Sequence, residues 1–248
     1  MKTWAAGLAL SLTLASHAWA QPPRFTGADV GGPPAGTSSE LVPDVLEKVG
    51  IDQKLNAQVP LDAVFRAEDG REVRLGDYFG KRPVVLSLVY YECPMLCTQV
   101  LNGAVAAFKV LNFNIGDDYD VVTLSFDPRE TPAMASAKKE TYLNKYGRPE
   151  GAKGWHFLTG DKAAIDALTS SVGFRYTFDQ GSQQYVHASA LMVLTPDGRV
   201  SKYFYGIDYP PKDLRLGLIE ASGGNIGTPV DQVLLTGRQI FERFSPGE

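Results

Sequence analysis

Two cysteines four residues apart, in the run Cys93-Pro94-Met95-Leu96-Cys97, are the most reactive side chains of this 248-residue chain. At the start of a helix that spacing puts both sulfurs on one face within a turn, roughly 6 Å between backbone positions, which is close enough for a disulfide. Pro94 suits a first helical position, where an N–H lacks a partner anyway. The positive end of the helix dipole favours thiolate over thiol. Two such thiolates can cycle as a dithiol and disulfide, or they can hold a metal. An inert structural cross-link is a third use, but a loop this short removes little unfolded-state entropy.

The elements that must position this pair are legible around it. Residues 83–91 form a nearly continuous apolar, β-branched run, as expected of a strand buried on both faces, and they lead straight into Cys93. Leu101, Ala104, Val105, Phe108 and Leu111 then recur at helical spacing. Upstream, near Leu61, Phe65 and the Glu68-Asp69-Gly70-Arg71 turn predict a hairpin closing at residues 73–75. Downstream come a strand at 119–126, a loop at 127–132, a helix at 134–146, a strand at 157–159 and a helix at 163–172. A hairpin of 189–194 and 200–205 about Pro196-Asp197-Gly198 follows, and a helix at 212–222 closes the domain. The order predicts an α/β, thioredoxin-like fold: a central mixed β-sheet flanked by helices, with an N-terminal β-hairpin.

Histidine supply narrows any metal site, because the chain has only His17, His156 and His187. His17 falls in a segment that reads as a leader. Structural zinc wants four Cys/His ligands, and those of the remaining chain are dispersed. Two thiolates with one imidazole form a soft, low-coordinate set of the kind that selects Cu(I), while Cu(II) can add imidazole or an oxygen donor. His187 precedes the apolar run 190–194 in a stretch read as a loop; in thioredoxin-like folds that loop faces the cysteine motif and usually carries a proline, which is absent here. His187 is therefore the expected third ligand. His156, between Trp155 and Phe157, is expected in the core or at a cap. Met95 offers a thioether, but an apolar contact is the expected use.

Composition excludes other classes. The formal net charge is −4 and no long Lys/Arg run exists, so nucleic acid has no basic face to bind. Lys2, an apolar stretch at 5–15 and Ala18-Trp19-Ala20 before Gln21 predict a signal peptide cleaved after Ala20, hence an exported, periplasmic protein. The apolar stretch is shorter than the roughly 20 residues a span needs, so no stable membrane span is expected in the mature chain. Export places the cysteines in an oxidising compartment. The expected divisions are a signal peptide at 1–20, a Pro/Gly-rich linker with a short helix at 21–54, the domain at 55–222 and a partly helical C-terminal extension at 223–248.

With Cys-Pro-x-x-Cys after a buried strand and a distant His, the chain resembles the Sco/SenC family over about residues 55–222. Ser125-Phe126-Asp127-Pro128 is similar to the family's Ser-x-Asp-Pro segment. The resemblance implies that Cys93, Cys97 and His187 are copper ligands and that the process is assembly of the binuclear copper centre of cytochrome c oxidase. The partner it implies is the oxidase's copper-bearing subunit or another copper chaperone. It also puts Asp127 near the metal site. Backbone preference alone makes Asp127 a turn or capping residue before Pro128, and one carboxylate can both shape the loop and tune the thiols from outside the ligand set. Two departures from the pattern touch the site: Tyr90-Tyr91-Glu92 stands where Gly-aromatic-Thr is usual, and Thr98 where a Pro is usual. Glu92 adds negative charge beside Cys93, which predicts raised thiol pKa values. A copper metallochaperone without turnover is the leading functional reading. The alternative is a thiol:disulfide oxidoreductase, with Cys93 and Cys97 as redox pair and no need of His187. A peroxidase of the peroxiredoxin class is third, with Tyr90 at the position where that class uses a Thr.

Overall fold

The computed structural model describes residues 48–224. The predicted leader, nearly all of the linker with its short helix, and the extension beyond Gly224 lie outside the described residues. In chain order the elements are β1 (Gly50–Ile51), β2 (Val64–Ala67), β3 (Glu72–Arg74), β4 (Val84–Val89), α1 (Leu96–Val110), β5 (Asp120–Ser125) and α2 (Pro132–Tyr146). There follow β6 (Trp155–Thr159), α3 (Lys162–Ser171), β7 (Phe174–Asp179), β8 (Gln184–His187), β9 (Ala190–Leu194), β10 (Val200–Tyr205) and α4 (Pro211–Ser222).

Seven strands make the main sheet in the order β10-β9-β4-β5-β6-β2-β3. Its middle is parallel, β4 with β5 and β5 with β6, because each pair is joined through a helix; the hairpins β2–β3 and β9–β10 add antiparallel edges. Every residue of β4 and β5 is buried, which explains why the sequence at β4 reads as a nearly continuous apolar run. Their few polar groups are paired: Ser87 and Thr123 share a hydrogen bond of 2.9 Å, and the Trp155 indole N–H donates to Thr123 at 3.0 Å. Cys97, Val100, Leu101, Ala104, Val105, Ala107 and Phe108 form the buried face of α1, which packs against α2 and α4. Helix α2 has Thr131 at its N-cap and Pro132 in its first turn, and it stops at Gly147 in the left-handed region (φ 74°). Among the described residues no helix is long and apolar enough to cross a membrane.

The central mixed sheet, flanking helices and N-terminal hairpin are as the sequence predicts. Two local features differ. Helix α1 starts at Leu96 with Met95 as N-cap, so Pro94 is not its first residue. The Cys93 N–H instead bonds to the Tyr90 carbonyl at 3.3 Å, which assigns Cys93 and Pro94 to the strand-to-helix turn. Residues 184–187, read as loop, form strand β8 of a second sheet in the order β1-β7-β8. The strand forms because Phe174, Tyr176 and Phe178 alternate with Arg175, Thr177 and Asp179, giving β7 one apolar side, and residues 180–183 turn the chain back so that Tyr176 pairs with His187.

Candidate metal centre

The end of β4, the start of α1 and the end of β8 converge. One donor atom each of Cys93, Cys97 and His187 lies within 4.8 Å of the others, and all three residues are buried. Cys97 Sγ is 3.3 Å from His187 Nε2. Backbone N–H groups face both sulfurs: Cys97 N–H donates to Cys93 Sγ and Tyr90 N–H to Cys97 Sγ, each at 3.3 Å. His187 Nδ1 lies 2.7 Å from the Ala188 carbonyl, which can only accept, so Nδ1 carries the proton and Nε2 turns its lone pair to the sulfurs. The ring meets Phe126 and Tyr90 edge-on at centroid distances of 5.1 and 5.9 Å. His187 thus has the tautomer a metal ligand needs, fixed by a neighbouring carbonyl.

The two thiols are not equivalent. Hydrogen bonding from the Cys97 side chain, followed by the N–H groups of Cys97 and Met95, holds the Cys93 thiol well below its ordinary range despite burial. Burial first, then the neighbouring sulfur, pushes Cys97 up. Of the reduced pair, Cys93 is therefore the more readily ionised sulfur and Cys97 the one that holds its proton more firmly.

Glu130, which the sequence reading missed, fixes the turn that carries Cys93. Its buried carboxylate accepts the Tyr91 and Glu92 N–H groups, both at 2.7 Å, and the Ser125 hydroxyl at 2.5 Å. Burial raises its pKa against those hydrogen bonds. Tyr91 ties the same turn down from below, its hydroxyl donating to the Leu158 carbonyl at 2.7 Å. The Glu92 side chain is exposed; the carboxylate that acts on Cys97 is that of Glu130.

Asp127 does the work of a turn residue. It accepts the Arg129 N–H at 2.9 Å and pairs with the Arg129 guanidinium at 2.7 Å, and Tyr185, two residues before His187, donates to it at 3.4 Å. Burial raises its pKa, but Arg129 outweighs burial and the net shift is downward. His156 stands apart from the site, its ring tilted against that of Tyr78 with centroids 4.3 Å apart, and burial pushes its pKa down to about 4. Met95 does not make the expected apolar contact: it is 66% exposed.

Comparison with known proteins agrees with this geometry. The sequence model of the family described as SCO1/SenC matches residues 54–215. The SCO1 protein homolog of Bacillus subtilis (strain 168) is 25% identical over 154 residues, 60% of this chain and 75% of that protein. Solved structures share the fold, two Sco proteins among them. BsSco, a member of the Sco family of cytochrome c oxidase assembly proteins in which a disulfide switch was identified, aligns with TM-score 0.54 and 23% identity over 69% of this chain and 97% of its own. Arabidopsis thaliana ScoI with copper bound aligns with TM-score 0.51 and 21% identity over 64% and 94%.

Proposed function

Because the chain belongs to the SCO1/SenC family, we propose that it is a periplasmic copper carrier that holds copper on Cys93, Cys97 and His187 and serves in the assembly of cytochrome c oxidase. The observation that carries the reading is the convergence of two sulfurs and one correctly protonated imidazole, with Cys97 Sγ and His187 Nε2 at 3.3 Å. Two thiolates and one imidazole are the soft, low-coordinate set that suits Cu(I). Copper-bound ScoI and the oxidase-assembly role of BsSco support the cargo and the process.

This chain's residues divide the work. Cys93 is the more readily ionised sulfur before the metal arrives. Cys97 gives up its proton on binding, so uptake near neutral pH releases protons. His187 presents Nε2 without reorientation, its ring packed edge-on against Phe126 and Tyr90. Glu130 holds the turn so that neither sulfur has to be found by search. The test is anaerobic Cu(I) titration of the reduced protein against a competing chelator. One-to-one binding that is lost in Cys93→Ser, Cys97→Ser and His187→Ala bears the reading out, and unchanged binding by His187→Ala overturns it.

The thiolate–thiol asymmetry favours a second reading, a thiol:disulfide oxidoreductase in which Cys93 attacks a partner disulfide and Cys97 resolves the mixed disulfide. Disulfide reduction at the wild-type rate by His187→Ala, together with weak copper binding by the wild type, selects it.

A further inference from the structure

One sulfur of the described residues is left over: Cys93, Cys97 and Met192 are buried, Met134 is half-buried and Met95 is exposed. We propose that Met95 is a rim ligand, a thioether that takes Cu(I) from a partner's soft ligand and passes it inward to Cys93, and that reverses the step on delivery. The inference rests on the copper reading above.

Met95 has no structural employment. It packs against nothing that buries it, and it occupies an N-cap, where Ser, Thr, Asp or Asn would satisfy a helix N–H, without making a side-chain cap bond. Its backbone is nevertheless held at the site. The Met95 N–H faces the Cys93 sulfur, and its carbonyl accepts the Gln99 N–H at 3.2 Å. An unbranched side chain with three rotatable bonds starts from that fixed point and is open to solvent. Cys93 is 8%, Cys97 2% and His187 8% exposed, so a copper ion bound to another protein cannot meet all three donors at once. It must first exchange onto a donor at the surface.

The thioether suits that step. It is soft enough to select Cu(I), carries no proton that must leave, and as a neutral ligand yields the ion readily to a thiolate. The exchange is a substitution without redox change. The Met95 sulfur lone pair forms the new Cu–S bond, and the donor protein's ligand leaves with its own electron pair, taking a proton from solvent if it is a thiolate. Cys93 then displaces the thioether with its lone pair, and Cys97 joins after losing its proton to solvent. The partner is a protein that offers Cu(I) on exposed thiolate or thioether ligands.

The test uses the full mature chain with selective methyl labelling of its methionines. Ag(I), a redox-inert stand-in for Cu(I), is titrated into Cys93→Ser/Cys97→Ser; the methyl signal absent from Met95→Leu spectra should shift first. In stopped-flow exchange of Cu(I) with a small thioether chelator, Met95→Leu, nearly isosteric and on the surface, should slow both uptake and release about tenfold, so that their ratio, the affinity, changes far less than either rate. Met95→Ala should match Met95→Leu. Rates at the wild-type level in Met95→Leu, or an unshifted methyl, overturn the inference, as does rescue of Met95→Ala by Leu, which would make the position an apolar contact. Failure of the wild type to bind Cu(I) at all would instead overturn the copper reading.

Discussion

Replacing Glu130 by Gln removes one oxygen and one charge from the group that anchors the Cys93 turn, with almost no change of shape. The wild-type carboxylate accepts three donors: Tyr91 N–H and the Ser125 hydroxyl on Oε2, Glu92 N–H on Oε1. An amide has one acceptor oxygen. If that oxygen stays with Tyr91 and Ser125, the new NH2 faces the Glu92 N–H, so one charge-assisted hydrogen bond is lost and two donors are opposed. A lost bond of this kind costs about 1.5–3 kcal/mol, and an unsatisfied buried donor about 1–3 kcal/mol. Relief of a buried charge opposes the loss, since burial already raises the Glu130 pKa. The expected net destabilisation is about 2–3 kcal/mol. Urea unfolding of the reduced, metal-free protein measures it as a fall in midpoint at constant m-value. The same variant should bind Cu(I) about 10–100-fold more weakly, the usual effect of a lost outer partner. Stability within 0.5 kcal/mol of wild type, together with unchanged copper affinity, would refute the assignment of Glu130 as the anchor; that bound is about the scatter expected of a surface substitution.

Other perturbations read separate parts of the structure. His156 stays neutral in the fold down to about pH 4, whereas the unfolded chain protonates it near 6.5. Stability should therefore fall as pH drops through that window, by up to about 3 kcal/mol, and His156→Phe should flatten the curve in urea melts at pH 4.5 and 7. Asp127→Ala removes a buried acceptor and leaves the Arg129 guanidinium without its main partner. A loss of about 1–3 kcal/mol is expected, with copper affinity lowered less than in His187→Ala, checked by parallel melts and titrations. Gly103→Ala should destabilise by at least about 1–3 kcal/mol, because its Cβ would lie 1.9 Å from the Ile207 carbonyl oxygen; a wild-type thermal midpoint would mean that α1 does not pack against that segment.

The parts of the fold that were legible in the sequence are those fixed by local pattern. Strand β4 is buried on both faces and so reads as a nearly continuous apolar run, and α1 shows its buried face as Leu101, Ala104, Val105 and Phe108 at helical spacing. His187 could be placed because it stands directly before a strand whose position in the fold is set by the hairpin after it. Strand β7 was missed although Phe174, Tyr176 and Phe178 alternate with polar residues; the period of two was there to read, but the strand belongs to a small sheet outside the expected order. Glu130 had no such pattern. Its partners Tyr91 and Glu92 lie 39 and 38 residues away, and only the parallel pairing of β4 with β5 brings the two strand ends side by side. An acid in the loop after the strand neighbouring the cysteine strand is the one signal that would have found it. The helix start was misplaced because the Cys93 N–H is engaged by a turn, which spacing alone does not show.

The cysteines hang from the seven-stranded sheet, whereas the histidine ends a strand of the three-stranded one. An ion held by all three is a rivet between two separately hydrogen-bonded plates. Occupancy therefore stabilises the seating of the small plate by the histidine's share of the binding free energy, and hydrogen exchange in β7 and β8 should slow on loading more than exchange in β4 and β5. In the copper-carrier reading, release then begins by lifting one plate, which breaks the imidazole contact and leaves both sulfurs on an intact scaffold, with no need to unfold the domain.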